Sequence, residues 1–496
     1  MKPVFLLIVA GLALSLTSPA QTPQPVAFPI SAKNTEIRRL LDQAWILDSD
    51  QVEQSQAIEV MKKILKIDPD FAMGHEILAQ ISLDPAEQMS EQKLAFAKKS
   101  HANSAEQTVI QWFQDAADHK LISAITNMND VLHKYPHDRW LVFLANSWLT
   151  AQTQYERAAA IYENSGITDS PGLINNAAYT YANLRQFSKA FSLMDKYVAL
   201  MPNDPNPQDS YAEILRMAGH YTVAIDHYHV ALSMNPQFYS SQFGIADTYM
   251  LMGDETRARQ AYEIGFQKFP SLPDLDYIRW KTRQATTYVH ETDVAGADKA
   301  FQSLADYAHS KHLSQAEADT YRQMALYQTN TQQALTLLTK AESALHDGNN
   351  VSPINAHHEA AQILRARAEV AIKAGDSLAV DAAVAKLTSV SLNSDDKVID
   401  SALNGAIGAH LFYEHKYKQS IPHLEEDSNN PLSLERLANA YRMTGYYSGA
   451  RHVQQLLASF NDPTLEQALV VPVFRKCLVN PTCNVIMKNA AMETKR

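Results

Sequence analysis

The stretch 208–236 reads QDSYAEILRMAGHYTVAIDHYHVALSMNP, and the stretch 242–270 reads QFGIADTYMLMGDETRARQAYEIGFQKFP. Aligned on their final prolines, Pro236 and Pro270, the two match in kind at five earlier places. Ala212 and Ala246 lie 24 residues before the proline, Leu215 and Tyr249 lie 21 before, and Gly219 and Gly253 lie 17 before. Ala224 and Ala258 lie 12 before, and Tyr228 and Tyr262 lie 8 before. A third copy ends at Pro202 and carries Ala178, Tyr181, Arg185, Ala190 and Met194 at the same offsets. The period is therefore 34 residues, and a fixed period of this size is the mark of a stacked repeat.

Each position in the list has a physical reason. Two short amphipathic helices joined by a tight turn account for the period, and glycine suits the turn because it takes a left-handed backbone. Alanine sits where the two helices cross, since a larger side chain would force the axes beyond the usual spacing. Tyr and Met fill the space between successive pairs. The proline opens the next unit because it cannot continue the preceding helix.

The phase continues outward. Ala124, Met128 and Pro136 keep the offsets upstream, as do Ala57, Met61 and Pro69, and Ala158 with Tyr162 fits before the turn at Ser170-Pro171. Downstream, Ala297 with Phe301 and Ala334 with Leu338 keep the small-then-bulky step. Further helix pairs are expected at 355–373 with 377–390 around Gly375, at 403–416 with 420–426, and at 432–444 with 448–460 around Gly445. Ala450 holds its place in the last pair, while Gln454 fills the bulky slot.

The pattern resembles the tetratricopeptide repeat family. It appears as Gln208-x-x-Tyr211-Ala212-x-x-Leu215, Ala224-x-x-x-Tyr228 and Pro236, then as Gln242-x-x-Ile245-Ala246-x-x-Tyr249, Ala258-x-x-x-Tyr262 and Pro270. The early Trp of the signature is absent and its Gly is Ala. The resemblance implies an all-α fold, an α-α superhelix or TPR-like solenoid of roughly a dozen helical hairpins. It also implies a concave groove lined by one stripe of each first helix. On the best-matched repeats that stripe is Asn175, Tyr179 and Asn183, then Asp209, Glu213 and Arg216, then Phe243, Asp247 and Met250. Asn amides can bond an extended peptide backbone, and Tyr179 and Phe243 can supply apolar anchors. Some family members clamp a C-terminal carboxylate with Lys and Asn. The trios hold no Lys, and Arg216 is their one cation, so that mode is disfavoured.

Composition agrees. Of 496 residues, 46% are hydrophobic and 20% charged, which excludes general disorder. Only 15 are Gly, too few for the tight turns of sandwiches and barrels. The net charge is -11 with no basic stripe, so nucleic acid is excluded as a partner and an anionic membrane surface is disfavoured.

Residues 1–20 read as a signal peptide, with Lys2, an apolar run Val4–Leu16 and the small residues of Ser18-Pro19-Ala20. The run is shorter than the ~20 residues a membrane span needs. No stable membrane insertion is expected after cleavage, and the product is expected in the periplasm or outside the cell. Residues 21–34, with Pro23, Pro25 and Pro29, read as a linker. The rest divides into an N-terminal array (35–270), degenerate helices (271–350), a C-terminal array (351–462), and a capping helix and tail (463–496). The polar stretches 345–355 and 391–397 mark the suggested divisions. The only cysteines, Cys477 and Cys483, could close a local disulfide in an oxidising compartment.

A search for catalytic chemistry returns nothing. His358-Glu359 fails as a zincin start because Gln362 stands where the second His belongs, and His309 with His312 near His290 lacks a placed carboxylate. Glu425-Glu426-Asp427 and Asp395-Asp396 read as solvated helix ends. Glu342-Ser343 is not followed by the motifs of a lytic transglycosylase. Both thiols lie in the tail. No metal or cofactor is expected, and the chain is read as a non-enzyme. The function expected is an exported scaffold that binds a protein or peptide in its groove. Two alternatives stand beside it. One is an envelope enzyme with a cryptic site in 274–430, and the other is a structural part of an envelope export or assembly complex.

Overall fold

The computed structural model describes residues 27–51, 53–348, 350–392 and 395–479, with side chains as far as Lys476. The signal-like leader 1–20 and the pair Cys477 and Cys483 fall outside these, Cys477 by its side chain. Twelve helical hairpins follow one another. They are α1 (Thr35–Trp45) with α2 (Gln54–Ile67), α3 (Ala72–Ile81) with α4 (Pro85–Ala97), α5 (Ser104–Ala117) with α6 (Leu121–Lys134), and α7 (Arg139–Ala151) with α8 (Tyr155–Ser165). Next come α9 (Pro171–Asn183) with α10 (Phe187–Leu200), α11 (Asn206–Met217) with α12 (Tyr221–Met234), α13 (Tyr239–Met252) with α14 (Glu255–Lys268), and α15 (Asp274–His290) with α16 (Val294–Ser310). The last four are α17 (Ser314–Tyr327) with α18 (Thr331–His346), α19 (Pro353–Ala374) with α20 (Ser377–Ser391), α21 (Lys397–Tyr413) with α22 (Tyr417–Glu426), and α23 (Pro431–Met443) with α24 (Tyr447–Ala458). A single helix, α25 (Leu465–Val479), is the last described element, and no strand occurs among the described residues.

The repeat rule governs the packing. The fourth residue of the second helix is Ala57, Ala124, Ala158, Ala190, Ala224, Ala258, Ala297, Ala334 or Ala450 in nine hairpins, none more than 4% exposed. Ser420 and Val380 take the place in two others. Four residues on, Met61, Met128, Met194, Tyr228, Tyr262, Phe301 and Leu338 are buried against the next hairpin. The turn inside the hairpin carries a left-handed residue, Gly219 at φ 85° and Gly253 at 82°. Arg185 takes the same conformation at φ 56°, which explains how it replaces glycine at this offset.

The two helices of a hairpin face different surroundings. Helix α9 buries nine residues and α10 only four. First helices therefore form the inner wall of the superhelix and second helices its outer wall. Hairpins stack without a break where divisions were suggested, with α17 against α19 and α19 against α21.

Residues 27–34 differ from the linker reading. Phe28 is buried against Tyr135 and Trp140, with ring centroids 5.5 and 5.4 Å away. Its N–H donates to Asp138 at 2.9 Å, Ser31 donates to Glu106 through backbone and hydroxyl, and Lys33 pairs with Asp68. Apolar Phe28 and Ala32 among the prolines supply the burial that a flexible linker lacks.

Two seams close the superhelix on itself. At the first, His119 in the α5–α6 turn and His358 of α19 both bond Asp396 Oδ2 at 2.8 Å, while His357 stacks on His119. Asp396 also caps α21 through the N–H groups of Val398 and Ile399. Burial pushes the Asp396 carboxyl up, but its bonds to His119 and His358 outweigh that and hold it well below the usual carboxylate range. At the second, residues 459–475 meet α9 through α15. The first seam joins hairpins seven to eight positions apart, and the second joins the end of the array to hairpins roughly four to seven positions before it.

Two outcomes follow from this packing. Ala258→Leu should lower stability by about 1–3 kcal/mol through overpacking, while Val223→Leu, at a site 47% exposed, should change it little; urea midpoints by circular dichroism compare the two. A carboxylate with a depressed folded-state value contributes stability above about pH 4, which is lost as pH falls further. Acid should thus loosen the seam, and Asp396→Asn should loosen it at neutral pH by about 1–3 kcal/mol, read as faster amide exchange at 118–120 with unchanged helix content.

Candidate functional site

The nine expected groove residues do not share one environment. Tyr179 donates its hydroxyl to Glu213 at 2.9 Å, Glu213 accepts from Arg216 at 2.7 Å, and Arg216 reaches Asp247 at 3.4 Å. Asp209 accepts from Ser241 at 2.6 Å. These six side chains tie α9, α11 and α13 together. Asn183 spends its amide on the Tyr179 carbonyl of its own helix, and Asn175 is buried with an unpartnered Oδ1. Phe243 and Met250 are 0% exposed, which removes them from any groove surface. Phe243 stacks on Trp280 at 4.9 Å, so its ring joins neighbouring hairpins instead of anchoring a ligand. Helix α13 buries nine of its 14 residues, and Phe243, Asp247 and Met250 are among them, so its expected stripe belongs to the core.

The inner wall is a ladder of arginine–carboxylate pairs. Asp247 of α13 takes Arg216 of α11, Arg283 of α15 and the Tyr262 hydroxyl. Arg322 of α17 holds Glu359 of α19 at 2.7 Å. Arg365 of α19 holds Asp427, which also accepts from Ser433, and Arg436 of α23 grips both oxygens of Glu369. Burial pushes the Asp209 carboxyl up to about 7, with the Ser241 hydroxyl pulling the other way. For Glu369 burial raises and Arg436 lowers, and the guanidinium wins.

The C-terminal segment crosses this wall at the turn edge. Tyr221 donates to Asn461 Oδ1, and Asn461 donates to the Met217 carbonyl at 3.1 Å. Arg475 donates to the carbonyls of Leu251, Ala458 and Phe460 at 2.8, 2.9 and 3.1 Å. Gln467 meets His290 at 3.0 Å, and Arg185 lies over the Phe460 ring. The capping helix expected near 463–472 is present, but it packs on α15 as well as on α23 and α24. Beside it opens a cleft of about 470 Å³ between α15, α17, α19 and residues 463–466. Arg279, Arg283 and Arg322 face it, along with Asp319, Gln323 and Glu466.

Sequence reasoning missed Arg279, Arg283 and Arg322, because the irregular stretch after Pro270 offers no phase from which to project the inner stripe. The histidines weighed for metal binding are engaged otherwise: His290 by Gln467 and Glu255, His309 by Glu317. Among the described residues no group of three or more His, Cys, Asp and Glu is placed to hold a metal. No described helix is long and apolar enough to cross a membrane.

This geometry defines the class, an all-α superhelix of tetratricopeptide-type hairpins. No protein-family model matches the sequence, and no curated protein matches it. Similar solved structures include a tetratricopeptide repeat protein from Parabacteroides merdae ATCC 43184, at 15% identity and TM-score 0.37 over 62% of this chain and 100% of that one. The Cut9-Hcn1 hetero-tetramer of the APC/C matches at 15% identity and TM-score 0.39, covering 84% of this chain and 76% of its own. PilW, a type IV pilus biogenesis factor, matches at 14% identity and TM-score 0.30, covering 49% and 99%. The fold class rests on the hairpin geometry of the chain itself.

Removing Asp247 tests the ladder. Asp247→Asn deprives buried Arg216 of one of its two carboxylates and half-buried Arg283 of its partner, and should cost about 3 kcal/mol. Arg279→Glu, at a side chain 53% exposed, should leave the melting temperature nearly unchanged; differential scanning calorimetry compares the two.

Proposed function

We propose that this protein is an interaction scaffold, exported by its leader, that binds an acidic extended segment of another protein in the cleft between α15, α17, α19 and residues 463–466. The observation that carries the reading is the chain's own segment 460–464. It has no regular secondary structure, yet Asn461 donates to the Met217 carbonyl at the end of α11 and accepts from Tyr221, while Arg185 in the turn after α9 donates to the Ser459 carbonyl beside it. The solenoid edge thus already holds an irregular chain in the way a partner segment would be held.

The cleft adds charge selection. Three guanidinium groups face it against the carboxylates of Asp319 and Glu466, in a chain whose net charge is -11. An acidic segment gains from these arginines and is repelled by most of the remaining surface, which favours this cleft over others. Arg279 is the most exposed of the three, so it is the one free to swing from Asp276 to a ligand.

Site-specific photo-crosslinking in cells tests the reading. A crosslinker at Gln323, inside the cleft, should give one discrete adduct that Arg279→Glu reduces at least about tenfold, the effect of reversing a contacting charge. A crosslinker at Ile264, 54% exposed on a second helix, should not give that adduct. Equal adducts at both positions, or an adduct indifferent to Arg279→Glu, would overturn the proposal.

A further inference from the structure

The first helices of the first four hairpins enclose a second cavity, of about 390 Å³, remote from the arginine cleft. Its wall is largely aromatic and aliphatic, with Trp45, Phe113, Trp140, Phe143, Met61 and Leu144. Trp45 and Phe143 meet edge to face at 5.0 Å. Into this wall α3 places Glu76, which is 0% exposed. Gln80 donates to Glu76 Oε1 at 2.8 Å, and Oε2 has no hydrogen-bond partner. An unpartnered carboxylate oxygen in an apolar cavity is costly unless something enters to satisfy it.

The surroundings decide what enters. The titratable groups lining the cavity with Glu76 are Asp42 and Asp48, on α1 and the turn that continues it, and His137, Asp138 and Arg139 at the start of α7; α2 and α5 present only Met61 and Phe113. Arg139 is paired with Asp169 at 2.9 Å, and His137 bonds the Ser165 carbonyl at 2.8 Å. Asp138 is taken by the N–H groups of Phe28 and Leu141. Asp42 and Asp48, joined by Glu76 once it is ionised, therefore set the sign of the site. An anion is repelled, a plain hydrocarbon leaves Oε2 unsatisfied, and aromatic faces favour a cation.

We propose that this cavity binds a small hydrophobic amine, its ammonium donating to Glu76 Oε2 and its apolar body lying against Trp45, Phe113 and Trp140. Burial pushes the empty Glu76 carboxyl up to about 8 and Asp48 up to about 6. At neutral pH the empty site holds Glu76 protonated, and the ammonium displaces that proton to solvent on binding. Affinity must then rise with pH until Glu76 is ionised in the free protein.

The test uses the full chain and phenethylamine, with phenethyl alcohol and phenylacetate as neutral and anionic counterparts. Isothermal titration should show one site, filled by the amine at least about tenfold more tightly than by either counterpart. Its affinity should climb roughly tenfold or more from about pH 6 to about pH 8. Glu76→Gln keeps the shape of the protonated side chain and should abolish both the preference and the pH dependence, with the circular dichroism spectrum intact. Should that variant fail to fold, the wild-type pH series carries the test alone. No amine binding, a pH-independent affinity, or equal binding of the alcohol would each overturn the proposal.

Discussion

Everything in this architecture depends on how closely two helices cross. The fourth position of nearly every second helix is alanine or serine with almost no exposed surface. Widening that crossing by one large side chain would tilt the second helix and with it the stacking angle of the next hairpin. Because each hairpin contacts mainly its neighbours, such errors add along the array. The seams between distant hairpins form only where the accumulated angle brings His119 to Asp396 and Met217 to Asn461. Local closeness thus sets global closure.

The inner wall converts that geometry into specificity. Buried arginine–carboxylate pairs add little net stability, since desolvation offsets most of the attraction. Their geometry is exacting, however. Arg436 meets Glu369 with both nitrogens, and Asp247 accepts from three helices at once. A hairpin slipped by one residue would leave a buried charge unpaired. The ladder therefore penalises wrong registers more than it rewards the right one. A chain of near-identical hairpins needs such a device, because its apolar contacts alone would tolerate several stackings.

How much of this could be seen in the sequence follows from the same division. Contacts set by the 34-residue period are local, and they were legible: Ala224, Tyr228 and Gly219 stand where the period puts them, and the late pairs 355–373 with 377–390 and 432–444 with 448–460 form as hairpins. The direction a side chain takes in the superhelix is not local. Phe243 and Met250 share a helical stripe with Asp247, yet all three are buried, Phe243 against Trp280 and Asp247 beneath Arg216 and Arg283. Phe28 lay inside a proline-rich stretch that reads as linker, and only the distant Tyr135 and Trp140 make it a core residue. Nothing near Asn461 or Arg475 announces that they meet α11 and α13 across more than two hundred positions.

The two candidate sites lie where the repeat rule lapses. Hairpins α1 to α4 include a π-helical turn at Ile46–Asp50, and Gln88 stands at the place in α4 that alanine holds elsewhere. The π turn reaches α9, where Gly172 leaves room for the Ser49 carbonyl that a Cβ would strike. The cavity that holds Glu76 lies between the first helices of these hairpins and the next two and is lined by Asp48 of that turn. The arginine cleft likewise follows the lengthened helices α15 and α19, whose 17 and 22 residues overrun the standard hairpin. A perfectly periodic solenoid would bury its inner wall evenly and offer no enclosed volume. Departure from the period is what creates cavities here, and Glu76 and Arg279 are polar side chains in them that no inner-wall pair between hairpins employs.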